Sequence, residues 1–269
     1  MTISTMDGVL SGMQRPKEFY KDLTGTMVTG RPHSLWLTNG IPCPGAAASN
    51  ITGAVLTSTT AGQIPFSNPV SGNTYVARLV GQSTVSGTLL LCDRLWHNAA
   101  IDATITTEQT FTSSVQIPAR DDNGTTTGDG VFAGVEVLVA TTTNTPASMT
   151  LKYTNTAGTT GQTVVNITTL APGSVGDFYP MGIASGDTGI QKAQSLQIAA
   201  TAWAAGTLGV VLYRVLARVE LTASSVTNAV DCLTGGFNKV YNNSVPFLLF
   251  IPSQTTTSNI TGQVIFTQG

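Results

Sequence analysis

Apolar and polar residues alternate with a period of two along much of this chain. In residues 148–170, Met149, Leu151 and Tyr153 alternate with threonine and lysine, and after a polar turn at 155–161 the alternation resumes with Val165 and Ile167 on one side. This period is typical of a half-buried strand. Threonine suits the outer face, because its branched Cβ favours the pleat and its hydroxyl keeps that face polar. The stretch predicts a hairpin with one buried face.

Other segments of the chain, before and after this stretch, also have the length of strands. They lie at residues 74–82, 87–97, 103–118, 130–141, 174–183, 193–203, 206–221, 244–253 and 259–268. In 130–141, Val135, Val137 and Val139 alternate with a second set that includes Glu136. Short strands separated by Gly, Thr and Asn turns, without alternating helices, are typical of all-β folds. We therefore expect a mainly β protein, an antiparallel β-sandwich or jelly-roll-like fold.

Helical spacing occurs near the start, at residues 6–22, and a second short helix is expected at 228–233. Residues 1–50 are predicted to be an N-terminal arm or helix and a loop, with one possible strand at 33–38. Residues 51–269 form the β-sandwich body, which could be two packed subdomains with a boundary near 118–130.

The composition is low in charge. Of the 269 residues, 41% are hydrophobic and 10% are charged, against a usual share of about 25%. Either threonine, serine and asparagine cover the surface, or neighbouring subunits cover it, and we expect both. The net charge of −2 gives no general attraction to nucleic acid. Apolar runs are too short or too interrupted to span a bilayer, and no secretory leader is expected, so neither nucleic acid nor membrane is predicted as a partner.

The three cysteines, Cys43, Cys92 and Cys232, form no CxxC pair. Cys92 lies in an apolar run and is expected to be a small core residue. We expect buried free thiols, with a disulfide or a metal site as the alternative.

The densest acidic stretch is "RDDNGTTTGDG" at residues 120–130. An EF-hand loop beginning at Asp121 would need glycine where Thr126 stands, and it would need a glutamate at its twelfth position. The match fails, so we expect a polar loop between strands. A different ion site, built from Asp121, Asp122 and Asp129, is the alternative.

The stretch "CDRLWHN" places Asp93, Arg94, Trp96 and His97 close together. A nucleophile needs a base and an orienting partner, and only His33 and His97 are available as histidine bases. We expect Trp96 to be packed, and Asp93 and Arg94 to lie in a salt bridge or at an interface. Asp187 is expected in a tight turn. No catalytic, cofactor-binding or metal-binding residue is predicted, and the protein is not expected to be an enzyme.

Two long segments resemble virion proteins of tailed bacteriophages. They run from "LWHNAAIDATITTEQTFTSSVQIPARDDNG" through "TLKYTNTAGTTGQ", and from "FYPMGIASGDTGIQKAQSLQI" to the apolar strand that ends at Leu221. The resemblance covers roughly residues 90–221. It implies a structural component of the virion, associated with the head, and it implies no catalytic residues.

These features lead to one expected function and two alternatives. We expect a capsid-associated decoration or cement protein that forms a homo-oligomer, with a trimer expected, and sits on the major capsid protein in the virion after assembly in the host cytoplasm. Residues 1–22 and 31–48 are expected to make the contacts. The alternatives are another virion component (shell, tail or fibre) and a carbohydrate-binding sandwich. The latter usually presents exposed aromatics, whereas Trp36, Trp96 and Trp203 have apolar neighbours.

Overall fold

A computed structural model describes residues 3–23, 25–111, 116–236 and 238–269. The protein is mainly β, with antiparallel sheets of the β-sandwich or jelly-roll type, as the alternating pattern predicts. The chain forms two compact units. The first unit contains Met1–Ala46, Thr57–Asp93 and Val215–Gly269, and the second contains Ala47–Leu56 and Arg94–Arg214.

The helices are short, and the strands range from two to seventeen residues. The helices are α1 (Met6–Ser11) and α2 (Cys232–Gly235). The strands are β1 (Lys17–Leu23), β2 (His33–Ser34), β3 (Gly40–Ile41), β4 (Ala54–Val55), β5 (Thr74–Ser83), β6 (Gly87–His97), β7 (Ile101–Asp102), β8 (Gln109–Thr110), β9 (Val131–Thr142), β10 (Met149–Asn155), β11 (Gln162–Val165), β12 (Phe178–Pro180), β13 (Ile190–Ile198), β14 (Ala205–Leu221), β15 (Asn228–Asp231), β16 (Lys239–Val240), β17 (Pro246–Pro252) and β18 (Ser258–Gln268).

In the first unit, two groups of strands enclose one apolar core. One sheet has the order β15-β5-β18-β1-β3, and β16 also pairs with β5. The facing strands have the order β14-β6-β17-β2. In strands such as β1, every second residue is buried, as expected for a strand with one buried face, whereas β6 and β17 are buried along most of their length. The core includes Phe19, Leu79, Val264 and Phe266 from the first sheet and Leu89, Leu216 and Phe250 from the facing strands.

The second unit has a similar arrangement, to which β14 contributes again with its first part. One sheet has the order β11-β10-β13-β8, and the facing strands run β12-β9-β14, with β7 also paired to β14. The core includes Met149, Leu151, Tyr153 and Leu196 from the sheet and Val135, Val137, Val210 and Leu212 from the facing strands.

The hairpin predicted from residues 148–170 is confirmed. In β10 and β11, Thr150 lies opposite Val165 and Lys152 opposite Thr163. Met149, Leu151 and Tyr153 are fully buried, and Val164 packs against the same core. Val165 and Ile167 lie on the other side of the second strand and are 53% and 69% exposed.

The N-terminal segment differs from the helix predicted over residues 6–22. The helix α1 ends at Ser11, and Lys17–Leu23 is a strand paired along its whole length with β18. The strand buries Phe19, Lys21 and Leu23 and exposes the residues between them. A period of two therefore overrides the weaker helical spacing, since it places Phe19 and Leu23 in the core.

Other boundaries also differ from the sequence-based expectations. Residues 228–231 form β15, and the helix α2 begins only at Cys232, capped by Asp231. The possible strand at 33–38 is reduced to β2. In the segment 103–118, β8 forms, while residues 112–115 lie outside the described residues.

The compact units do not follow the expected division into residues 1–50 and 51–269, or a boundary near 118–130. Strands that pair are far apart in sequence, as β1 and β18 are, so each unit is assembled from separate pieces of chain.

The place of β1 in the core predicts how truncation at the N-terminus affects stability. Removing residues 1–11 should leave the first unit folded, because the core strand β1 stays. Removing residues 1–22 should unfold that unit, because β18 keeps β5 but loses β1 as a partner, and each large apolar side chain lost from the core, such as Phe19, removes roughly 1.5–3 kcal/mol of burial energy. Thermal unfolding followed by circular dichroism, with limited proteolysis, measures both. Equal stability of the two truncated proteins would contradict the assignment.

Candidate functional site

The stretch "CDRLWHN" forms a buried polar cluster at the end of β6. The Arg94 guanidinium binds both oxygens of Glu136, with Nη1–Oε1 at 3.3 Å and Nη2–Oε2 at 2.6 Å. Both side chains are fully buried. A buried guanidinium needs this kind of paired partner, because an uncompensated charge in the interior is very costly. The salt bridge predicted as one option for Arg94 is present, and Trp96 is packed in the core as expected.

His97 completes the cluster by accepting hydrogen bonds. Arg94 Nε and Nη2 lie 3.2 and 3.1 Å from His97 Nδ1. Since a guanidinium has donors only, Nδ1 carries the lone pair and the ring proton belongs on Nε2. Burial, and then the positive charge of Arg94, lower the pKa of His97 to about 2. The imidazole is therefore neutral, and its Nδ1 lone pair is engaged by Arg94.

The neighbours of this cluster in sequence hold main-chain groups. Asp93 accepts hydrogen bonds from Ser244 Oγ and from the Val245 amide, both at 2.7 Å. The Asn98 side chain donates to the Ile51 carbonyl and accepts from the Val210 amide. Buried polar groups are normally satisfied in this way. The polar residues of "CDRLWHN" thus hold strands and loops in place.

Sequence patterns did not identify Glu136 as the partner of Arg94. The alternation in residues 130–141 separates it from the valines, yet it is completely buried. The signal available in the sequence was a single carboxylate in an otherwise apolar run, for which a buried cation is the expected partner.

The acidic loop at residues 120–130 is organised around Asp121. This fully buried carboxylate accepts hydrogen bonds from the Asn123, Thr125 and Gly128 amides and from the Thr125 and Thr127 hydroxyls. Burial by itself raises the pKa of Asp121, but these hydrogen bonds outweigh it and hold the pKa below its usual value. The carboxylate is already solvated by its own loop, which agrees with the polar loop predicted from the sequence.

The loop's other two acids are oriented differently. Asp122 lies 3.4 Å from Arg214, and Asp129 accepts a hydrogen bond from Asn123. Within the described residues, no three His, Cys, Asp or Glu side chains are placed to hold a metal ion.

Asp187, in the turn predicted from the sequence, is the centre of another group of hydrogen bonds. It accepts hydrogen bonds from the Tyr153 hydroxyl and from Asn155 Nδ2, and the Tyr153 oxygen accepts from the Ala184 amide. Burial, followed by the hydrogen bond to Asp187, raises the pKa of Tyr153 to about 12. These hydrogen bonds connect β10 to the turn before β13. Apart from its place in a strand, nothing in the sequence marks Tyr153 as a member of this group.

The cysteines are free, and one of them is not buried. Cys92 and Cys232 are buried as predicted, whereas Cys43 is exposed. Cys43 follows a loop that Lys21 holds, since Lys21 Nζ donates to the Thr38 and Pro42 carbonyls at 3.1 and 2.7 Å. Burial lowers the pKa of Lys21 to about 8, partly opposed by Cys43.

The outer face of the β11-β10-β13-β8 sheet is covered by hydroxyl and amide groups. Thr150 lies between Val165 and Gln197, and Lys152 lies between Thr163 and Ser195. We call this surface the threonine face. Its Lys152 is paired with Glu108 at 3.7 Å, and a second lysine, Lys192, lies opposite Thr154. The hydrogen bond from Ser195, with the Lys152 ammonium, lowers the pKa of Glu108. This face therefore presents little uncompensated charge.

The first unit carries a shallow surface groove on its β5-β18-β1-β3 sheet, which we call the Tyr20 groove. It is lined by Glu18, Phe19, Tyr20, Ile41, Val80, Thr261, Gly262 and Gln263, and its volume is about 430 Å³. Tyr20 is 42% and Ile41 is 62% exposed. Gly262 forms part of its lining, where a Cβ would lie 2.1 Å from the Val80 carbonyl. Glu18 is the one charged residue in this lining.

The helix α1 adds an exposed apolar stripe. Its Val9 is buried, while Met6 and Leu10, four residues apart on the same face of the helix, are exposed. Met13, which follows the helix, is also exposed. Thr267 Oγ1 donates to the Val9 carbonyl and fixes the helix against the end of β18. No helix among the described residues is long and apolar enough to cross a membrane.

Comparisons with known proteins give weak similarities. No family model and no curated protein matches the sequence. Among solved structures, the VP2 subviral particle of infectious bursal disease virus is 9% identical, with 96% of this chain and 82% of that chain covered and a TM-score of 0.19. The T13 particle of the same virus is 9% identical over 96% and 78% of the two chains, with a TM-score of 0.20. TM-scores this low do not establish a common fold.

The buried ion pair predicts unequal effects of two matched substitutions. Glu136→Gln leaves the Arg94 charge buried without its counter-ion and should cost about 3–5 kcal/mol of unfolding free energy. Glu220→Gln removes the partner of the exposed Arg218 and should cost at most about 1 kcal/mol. Urea unfolding measures both values. Similar losses in the two variants would show that the Arg94–Glu136 pair does not hold the second unit together.

His97 predicts a pH dependence of stability. The pKa of this residue falls from 6.5 to about 2 on folding, so below pH 6.5 the unfolded chain takes up a proton that the folded chain excludes. The contribution of His97 to stability should therefore be constant above pH 6.5 and fall as the pH drops below it, by up to about 1.4 kcal/mol per pH unit.

His97→Gln should remove this slope between pH 6.5 and the range in which carboxylates titrate, since glutamine can still accept from Arg94. Unfolding free energies of both proteins at several pH values test the assignment. An unchanged slope in the variant would assign the effect to other groups.

Proposed function

We propose that this protein is a structural component of a virion, and that it acts by assembly rather than by catalysis. The observation that carries the proposal is the chemistry of its two outer sheet faces, the threonine face and the Tyr20 groove. Both present hydroxyl, amide and apolar groups. The charges of the threonine face are the Lys152–Glu108 pair and Lys192, and Glu18 is the one charged residue that lines the Tyr20 groove.

Such surfaces are suited to being covered by another protein. A buried hydroxyl is satisfied by one partner or by a bridging water, whereas a buried lysine or glutamate also loses up to about 2 kcal/mol of side-chain entropy. Interface cores are depleted in charged residues for this reason. Because only 10% of all residues are charged, a low share of charged groups is a property of the whole chain and not of these two surfaces alone.

The finer assignment rests on the sequence resemblance to virion proteins of tailed bacteriophages. The proposed role is a capsid-associated decoration or cement protein, which forms a homo-oligomer, a trimer, and binds the major capsid protein of the assembled head. The exposed Met6 and Leu10 of α1, with the exposed Met13 and Ile41, are the apolar groups offered for those contacts. The carbohydrate-binding alternative has less support, because Trp36, Trp96 and Trp203 are all buried.

The proposal is tested by placing charge in the Tyr20 groove. The double substitution Tyr20→Lys and Thr261→Lys should weaken self-association by roughly tenfold or more, because two long cations would lose rotamer freedom and hydration on assembly. Thr160→Lys in the exposed hairpin turn is the matched control and should have no effect. Sedimentation at several concentrations measures the association, and thermal unfolding verifies that both variants fold.

A wild-type chain that stays monomeric at every concentration and does not bind purified heads would refute the proposal. An association constant that the double substitution leaves unchanged would show that the Tyr20 groove is not part of the assembly surface.

A further inference from the structure

The chain contains two Asn-Gly dipeptides, Asn39-Gly40 and Asn123-Gly124. In this dipeptide the glycine amide nitrogen can attack the asparagine side-chain carbonyl, because glycine has no Cβ to shield its nitrogen and the backbone is flexible there. Whether a folded protein reacts depends on whether both groups are free. Both asparagines are exposed, so water reaches each of them, and the two sites differ in their hydrogen bonds.

Asn39-Gly40 has both groups free. The Asp22 amide donates to the Asn39 carbonyl, and Gly40 lies opposite Lys21 in the next position of the ladder. Since hydrogen bonds in an antiparallel pair alternate between residues, the Gly40 amide points away from β1. The strand β3 is the last in its sheet, so that amide lies at an open edge. Across the described residues, the Asn39 side chain makes no hydrogen bond.

Asn123-Gly124 has both groups engaged. The Gly124 amide donates to the Asp121 carbonyl at 3.0 Å, and Asn123 Nδ2 donates to Asp129 Oδ2 at 2.9 Å. The Asn123 amide also donates to Asp121 Oδ1. The nucleophile and the leaving group must each break a hydrogen bond before they can react.

We propose that Asn39 is a site of spontaneous deamidation and isoaspartate formation in the folded protein, and that Asn123 is protected. The Gly40 nitrogen loses its proton to solvent base and forms a bond to Asn39 Cγ. The Cγ–Nδ2 bond breaks and ammonia leaves, which produces a five-membered succinimide. Water then opens one of the two imide bonds and gives aspartate or isoaspartate.

The modification would alter the edge of the first sheet. Each product adds a negative charge beside Gly40, and isoaspartate also inserts an extra carbon into the main chain just before β3. Ile41 lies opposite Tyr20, so the change falls next to the Tyr20 groove. If the groove is an assembly surface, as proposed above, ageing of Asn39 weakens assembly, but the chemistry itself does not depend on that function.

The test follows both sites in one sample. The full-length protein is incubated in mildly alkaline buffer made with heavy-oxygen water, and the peptides that contain Asn39 and Asn123 are measured by mass spectrometry. We expect Asn39 to incorporate heavy oxygen roughly tenfold faster than Asn123, because a net hydrogen bond is worth up to about a factor of ten in rate. Equal rates, or a faster Asn123, would refute the proposal.

Two controls assign the difference to the fold. In concentrated urea the two sites should react at similar rates, and a difference that persists there would belong to the local sequence and contradict the structural explanation. Asp129→Ala removes the side-chain partner of Asn123 and should speed that site several-fold while leaving Asn39 unchanged. An unchanged Asn123 rate would show that this hydrogen bond gives no protection. Asn39→Gln should abolish the fast reaction.

Discussion

The guanidinium of Arg94 is fully buried in the second unit, and a buried cation has to be matched by its surroundings. Glu136 supplies the charge, and the His97 lone pair supplies a further acceptor. That requirement keeps His97 neutral and sets its tautomer. Because Arg94 lies on β6 and Glu136 on β9, the pair also ties together strands that are far apart in the chain. A sandwich filled only with valine and leucine could shift its strands more easily, since apolar contacts have no direction.

Other charged groups of the interior are also matched by hydrogen-bond partners. Asp121 is surrounded by amides and hydroxyls of its own loop, and Asp187 is held by Tyr153 and Asn155. Lys21 places its ammonium between two carbonyls. The chain thus uses many of its few charged residues to fix loops and leaves its outer sheet faces to threonine, serine and glutamine. A surface of that kind loses little hydration energy when another protein covers it.

A large part of this architecture follows from residue patterns. The alternation in 148–170 predicted the hairpin and the buried residues of its first strand, because side chains on a strand must point to opposite faces. In the second strand Val164 faces the core, and Val165 and Ile167 are exposed. Trp96 and Cys92 were expected in the core and are there. The N-terminal segment was predicted as a helix because Val9, Leu10 and Met13 have helical spacing. Lys17–Leu23 is nevertheless a strand, since β18, which is distant in sequence, offers it a full ladder of hydrogen bonds.

The β class, the hairpin, the low charge and the polar nature of the 120–130 loop can be read from residue patterns, because each depends on local periodicity or composition. Which polar residues meet depends on the tertiary structure. Arg94 and Glu136 are 42 residues apart, and Asp187 lies 34 residues from Tyr153. Pairings of that kind depend on how strands are ordered in a sheet, and no local pattern contains that order. For the same reason, two identical Asn-Gly dipeptides, both with an exposed asparagine, differ in their hydrogen bonds: one lies at a free sheet edge and the other in a closed loop.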